Sequence, residues 1–218
     1  MNYTRQIILN YSQAAIRLRQ NFFEKEADNI CRLAKITAAA LAKGNKILLC
    51  GNGSSQACAE HIASELLSRF QIERPPLAAL ALGGNCVAFS AIADNYAPEQ
   101  IFARQIQALG QPGDILILIS ATGSSPNLTE ALKAASEKNI ASIGFLGAID
   151  FKLSAACDHV LATGIEQASL IQEVHLTLGH LFCQLIDYYL FENVLELTPL
   201  LQDEASQAET SQKPPAAY

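Results

Sequence analysis

Along residues 6–43 apolar side chains recur every three or four positions, among them Ile7, Ile8, Tyr11, Ala15, Ile16 and Leu18. That is the spacing of one face of a helix. Residues 23–43 form a second helical stretch, rich in alanine and leucine and closed by Gly44-Asn45. Two helices ahead of the first strand exceed what one α/β unit needs. Residues 1–45 are therefore expected to form an N-terminal helical pair whose spare apolar faces pack on another subunit. The pattern then changes. Short apolar runs at 46–50, 77–82, 115–119, 140–146 and 159–163 alternate with helical patterns, notably 56–70 and 127–138. Such alternation implies an α/β fold with a parallel sheet covered by helices on both faces. A long amphipathic helix over 169–192 closes a domain spanning 46–197. Residues 198–218 are expected to form a disordered tail, because 202–218 are mostly Ala, Ser, Gln, Glu and Pro.

Composition narrows the function classes. With 218 residues, 50% apolar and 17% charged, the chain fits one domain with a substantial core. A formal charge of -6 and a pI near 5.2 argue against nucleic-acid binding through charge. No apolar run approaches the ~20 residues of a membrane span, and the first five residues do not open a signal peptide. Six scattered cysteines without a CxxC pair read as reduced and mostly buried, so a cytoplasmic location is expected.

Two loops carry candidate chemistry. Gly51-Asn52-Gly53-Ser54-Ser55 follows the first apolar run, and Ser120-Ala121-Thr122-Gly123-Ser124-Ser125-Pro126-Asn127 follows the third. Glycine admits close approach of an anion to the backbone, and hydroxyls add neutral donors. The helix after each loop turns its free N–H groups toward the same place. Serine and glycine also cap helices and form turns without any ligand. Two such loops at matching strand-to-helix junctions favour a phosphate site. Neither GxxxxGK[ST] nor GxGxxG is present, so the site suits one small phosphate rather than a nucleotide. His61 and Glu65 stand four apart on the helix leaving the first loop and project from one face. In the last helix Gln172, Glu173, His175 and His180 interrupt an apolar surface. His61 and Glu65 could equally be a surface pair, and His175 or His180 a core histidine.

Taken together, Cys50-Gly-Asn-Gly-Ser-Ser55, Glu60-His61…Glu65, Ile119-Ser120…Thr122-Gly-Ser-Ser125 and Ile171-Gln172-Glu173…His175…His180 resemble the sugar isomerase (SIS) domain family. The likeness is greatest to its phosphoheptose isomerase branch and covers about residues 5–193. The resemblance implies a five-stranded parallel sheet of flavodoxin-like type, a homotetramer with active sites between subunits, and one Zn2+ per subunit. It also implies interconversion of sedoheptulose 7-phosphate and D-glycero-D-manno-heptose 7-phosphate for lipopolysaccharide heptose. By the same resemblance His61, Glu65, Gln172 and His180 match the zinc ligands, and Glu65 and His180 the catalytic base and acid. Asn52, Gly53, Ser54, Ser55, Asp94, Ser120, Thr122, Ser125 and Gln172 match the substrate-binding positions. Residues 69–75, 85–93 and 185–191 look more like a non-enzymatic branch of the family, a tetrameric scaffold that associates with the replication initiator DnaA. A sugar-phosphate sensor without turnover is a third class, which would tolerate loss of Glu65.

Overall fold

The computed structural model describes residues 3–123, 125–147 and 151–202. Its centre is a five-stranded parallel sheet of order β2-β1-β3-β4-β5, formed by β1 (Ile47–Gly51), β2 (Ala79–Ala81), β3 (Ile115–Ser120), β4 (Ala141–Leu146) and β5 (His159–Ala162). Each strand lies within an expected apolar run or one residue beyond it. The run at 77–82 shrinks to a three-residue edge strand.

The strands alternate strictly, as a sheet buried on both faces requires. Ile47, Leu49, Ile115, Ile117 and Ile119 point into one apolar cluster, shared with α1 (Tyr3–Ala42), α2 (Ser54–Leu67) and α7 (Ala168–Asp187). Leu48, Cys50, Leu116 and Leu118 point into a second, shared with α4 (Ala103–Leu109), α5 (Pro126–Glu137) and α6 (Phe151–Ala156). Beside this second layer lies α3 (Cys86–Asn95), none of whose residues is fully buried.

Two expectations are corrected. The N-terminal region is not a helical pair but one continuous helix of 40 residues, about 60 Å long at 1.5 Å per residue. The chain has neither glycine nor proline between residues 3 and 43, so nothing breaks the backbone hydrogen bonding where a turn was expected. The tail also begins later than expected. Residues 198–202 are helical, and Leu200 and Leu201 pack on the core. The rest of the expected tail, 203–218, lies outside the described residues. No helix among the described residues is long and apolar enough to cross a membrane.

The polar interruptions of α7 have separate fates. His175 faces the sheet, 1% exposed, with its ring 6.4 Å from that of Phe145. Neither ring nitrogen reaches a partner at hydrogen-bond geometry. Burial pushes this imidazole from 6.5 down to about 4, and the Leu146 carbonyl beside it opposes that only in part. Between those values the unfolded chain takes up a proton that the native state refuses, so stability falls with pH from about 6.5 to about 4. The full loss is about 3 kcal/mol. His175→Leu removes the titration, and urea unfolding at pH 7 and pH 4.5 is expected to differ by about 2–3 kcal/mol less in this variant than in the parent. Equal pH dependence in the two proteins would contradict the neutral, buried imidazole.

Candidate active site

The site begins at a topological switch. From β1 the chain goes to β2 on one side, then crosses to β3 on the other. The helices after β1 and β3 cover opposite faces, α2 one and α5 the other, which opens a crevice at the carboxyl ends of these strands. Register pairs Gly51 with Ile119, so the two glycine- and serine-rich loops leave the sheet at the same level.

Two glycines shape the first loop. A Cβ on Gly51 would fall 2.8 Å from the Ser55 backbone and 2.9 Å from the Ile119 carbonyl oxygen. Gly53 has φ 57° and ψ −121°, a conformation side chains rarely adopt. With this turn α2 starts abruptly: Ser55 is buried, while Asn52, Gly53 and Ser54 remain exposed. In the second loop the buried Ser120 hydroxyl donates to the Gly123 carbonyl at 2.9 Å and accepts from the Gly123 N–H at 3.2 Å. Thr122 is thereby left exposed at the tip, and Ser125 precedes Pro126 at the start of α5. Across the crevice Asn52 and Asn127 exchange two amide hydrogen bonds, Nδ2 of Asn52 to Oδ1 of Asn127 at 3.0 Å and the converse at 2.8 Å. Asp94 stands apart, exposed near the end of α3, without a hydrogen bond or ion pair to any described residue.

The second part of the site joins α2 to α7. His61 and Glu65 occupy one face of α2, with His61 Nε2 3.6 Å from Glu65 Oε1. From α7 His180 brings its Nε2 to 2.9 Å from His61 Nε2. One imidazole donates and the other accepts through its lone pair, so the two tautomers are complementary. Phe70 stacks against His180, 5.6 Å between ring centres at 24°. All three polar groups are half-buried. Gln172 lies two turns before His180, about 12 Å along the helix. Its Nε2 donates to Ser54 Oγ at 2.6 Å, which links α7 to the first glycine- and serine-rich loop. The structure thus gathers His61, Glu65 and His180, and ties Gln172 to Ser54 of the first loop instead. Among the described residues no group of three or more His, Cys, Asp or Glu side chains is arranged to hold a metal ion, the two Nε2 atoms being directed at each other.

Several contributors were not picked out from sequence as site residues. Asn127 was legible only as part of a loop, since its partner stands 75 residues earlier. Arg74 is buried and donates from Nε to Asp187 Oδ1 at 2.6 Å, from Nη1 to the Leu66 carbonyl at 2.8 Å and from Nη2 to the Glu65 carbonyl at 3.0 Å. It therefore caps the last turn of α2 and fastens that helix to α7. A lone arginine in a polar stretch gives no sequence signal of this role.

A parallel sheet with a hydroxyl-lined crevice at its switch point, flanked by a carboxylate and two imidazoles, has the form of a sugar isomerase (SIS) domain. Residues 10–147 match the SIS domain model, and the chain belongs to that family. Within it the chain groups with the phosphoheptose isomerases. It is 47% identical over 203 residues to the phosphoheptose isomerase of Nitratidesulfovibrio vulgaris, covering 93% of this chain and 98% of the relative. Among solved structures, a phosphoheptose isomerase from Francisella tularensis matches with a TM-score of 0.82 at 34% identity, over 86% of this chain and 99% of that one. The phosphoheptose isomerase GmhA from Neisseria gonorrhoeae matches with a TM-score of 0.79 at 33% identity, over 84% and 98%.

Proposed function

We propose that this chain is a phosphoheptose isomerase, an aldose–ketose isomerase that interconverts sedoheptulose 7-phosphate and D-glycero-D-manno-heptose 7-phosphate for lipopolysaccharide heptose. The observation that carries the reading is the meeting of His61, Glu65 and His180 beside the crevice, in a chain that matches phosphoheptose isomerases over most of its length. A scaffold for the replication initiator has no need of these groups.

The crevice residues divide the work. The phosphate is seated by the exposed Ser54, by Ser55, Ser120, Thr122 and Ser125, and by the N-terminal N–H groups of α2 and α5. That end fixes the sugar so that its carbonyl end reaches the trio. Glu65 takes a proton from C1 of the ketose, giving a 1,2-enediol, and returns a proton to C2. His180 moves the accompanying proton from the C1 hydroxyl to the oxygen at C2, so that ketose and aldose remain isomers. Phe70 holds the His180 ring in plane for this transfer. Asp94 is positioned to reach the substrate only if α3 approaches the crevice.

By donor type, a divalent ion such as Zn2+ suits these residues once the His61–His180 contact opens to admit it. The separations of 2.9 Å and 3.6 Å within the trio bracket the spacing of about 3.3 Å between neighbouring donors around a tetrahedral ion with bonds of 2.0–2.1 Å. His61, Glu65 and His180 would hold it; Gln172, a fourth ligand by the family resemblance alone, would first have to leave Ser54 and reach back along α7. When bound, such an ion polarises the oxygens of the sugar's reacting carbons. Isomerase activity is measured with and without a chelator. Turnover is expected to fall at least tenfold after chelation and return with Zn2+. Chelator-insensitive turnover would remove the metal from the reading. A chain without turnover that captures the replication initiator would overturn the isomerase.

The assembly belongs to the same proposal. Ile7, Ile8 and Ile16 on α1 are 51%, 68% and 61% exposed, an apolar surface that suits burial between the subunits of a homotetramer. The six cysteines, all free, fit an enzyme of the reducing cytoplasm.

A further inference from the structure

The two loops of the cradle belong to different helices on opposite faces of the sheet, and their contents are small hydroxyls and glycines. Strand pairing spaces the bases of the loops, at Gly51 and Ile119, and leaves the spacing of their tips to side chains. The Asn52–Asn127 pair sets that spacing. It closes a ring of two antiparallel amide hydrogen bonds at 3.0 and 2.8 Å, joining the turn before α2 to the second residue of α5. Both hydrogen bonds are of ordinary good length, and the doubling fixes orientation as well as distance. Ser120 and Gly123 brace the second loop within itself, and Gln56 braces the first by accepting from the Gly51 N–H at 3.3 Å. Neither internal brace sets the gap between the loops.

From this geometry we infer that Asn127 is a positioning residue: it clamps Asn52 across the mouth of the crevice and makes two separate loops into one preformed phosphate seat. The inference rests on the sugar-phosphate reading of the site. Its physical basis is the cost of ordering groups on binding, which a preformed site does not meet again. The pair satisfies one N–H and one lone pair on each amide, and leaves each Asn a second N–H without a partner among the described residues. The clamp and a phosphate contact by Asn52 are therefore compatible. Asn127 acts through Asn52 and is not itself a phosphate ligand, a distinction that can be measured.

The test is a double-mutant cycle with Asn52→Ala, Asn127→Ala and the double variant, using inorganic phosphate as the probe in calorimetry and sedoheptulose 7-phosphate in the isomerase assay. Asn127→Ala stands in the first turn of a helix, where alanine is well tolerated, and unchanged urea unfolding confirms the fold. Expected results are a roughly tenfold weaker phosphate Kd and a matching rise in KM, with kcat within about twofold, since the trio is untouched. The double variant is expected to be no worse than Asn52→Ala alone. Multiplying effects would show two independent phosphate contacts, and an unchanged Kd in Asn127→Ala would show a surface pair without function; either overturns the clamp, as does a parent protein that binds no phosphate. Phosphate binding with the expected cycle, in a chain that does not turn over the heptose phosphate, would sustain the clamp and defeat the isomerase reading.

Discussion

Glu65→Gln is expected to lower kcat by about 10²- to 10⁴-fold, the range over which a positioned general base contributes. The change preserves the side chain's length and removes its ability to hold a proton. Little else should move. The Glu65 side chain is 27% exposed and faces His61 at 3.6 Å. What fixes this turn of α2 is the backbone carbonyl of Glu65, held by Arg74, and the substitution leaves that bond in place. The variant should therefore unfold at the parent's urea midpoint and bind inorganic phosphate with the parent's affinity. If the carboxylate acts as the base, exchange of the substrate's carbon-bound hydrogen with deuterated solvent should stop along with turnover. Its second candidate role, as a metal ligand, is separated by measuring bound zinc in the purified variant. Zinc retained with turnover lost assigns the loss to proton transfer. Parental kcat in Glu65→Gln would remove this residue from the chemistry.

The sheet was legible because its strands are buried on both faces and therefore read as continuous apolar runs. Leu48, Leu49, Leu116 and Ile117 need no alternation to be recognised as strand, and the glycine- and serine-rich loops mark where β1 and β3 end. Strand order was legible only through the resemblance, since periodicity carries no information about neighbours. The N-terminal helix was misread at its middle. Apolar spacing shifts there as the face that packs on α7 and the sheet gives way to the exposed face around Ile8 and Ile16, and a change of face looks like a change of helix. The helices α3 and α4 did not stand out. They are 10 and 7 residues long, and α3 buries none of its residues fully, so it lacks the contrast between faces that periodicity detects. Within the site, spacing on a helix correctly paired His61 with Glu65. The approach of His180, the Ser54–Gln172 link and the Asn52–Asn127 pair join positions 75 to 119 residues apart, and only the fold brings them together.

Arg74→Ala is expected to destabilise the chain by about 3–5 kcal/mol, the largest stability effect among these variants. The guanidinium and the Asp187 carboxylate are 1% and 5% exposed and meet at 2.6 Å. Breaking one side of such a pair leaves the other buried without compensation, and Asp187 Oδ2 already has no partner. The last carbonyls of α2 lose their cap at the same time. Burial holds the Asp187 carboxyl above its ordinary value, with Arg74 pulling it down. Without Arg74 that rise should grow, because the neutral acid is the cheaper buried form. A raised carboxyl binds its proton in the native state before the unfolded state does, so the variant gains stability relative to the parent as pH falls. The gap between the two proteins in urea unfolding should therefore narrow from pH 7 to pH 5, while the His175 contribution, common to both, cancels. Arg74→Met combined with Asp187→Leu should recover most of the stability, since an apolar pair of similar volume removes both desolvation costs. Activity should not recover with it. The methionine cannot hold the Glu65 carbonyl, and α2 would carry His61 and Glu65 without the bond that sets their height against His180 on α7. Full turnover in that double variant would show that packing alone aligns the two helices.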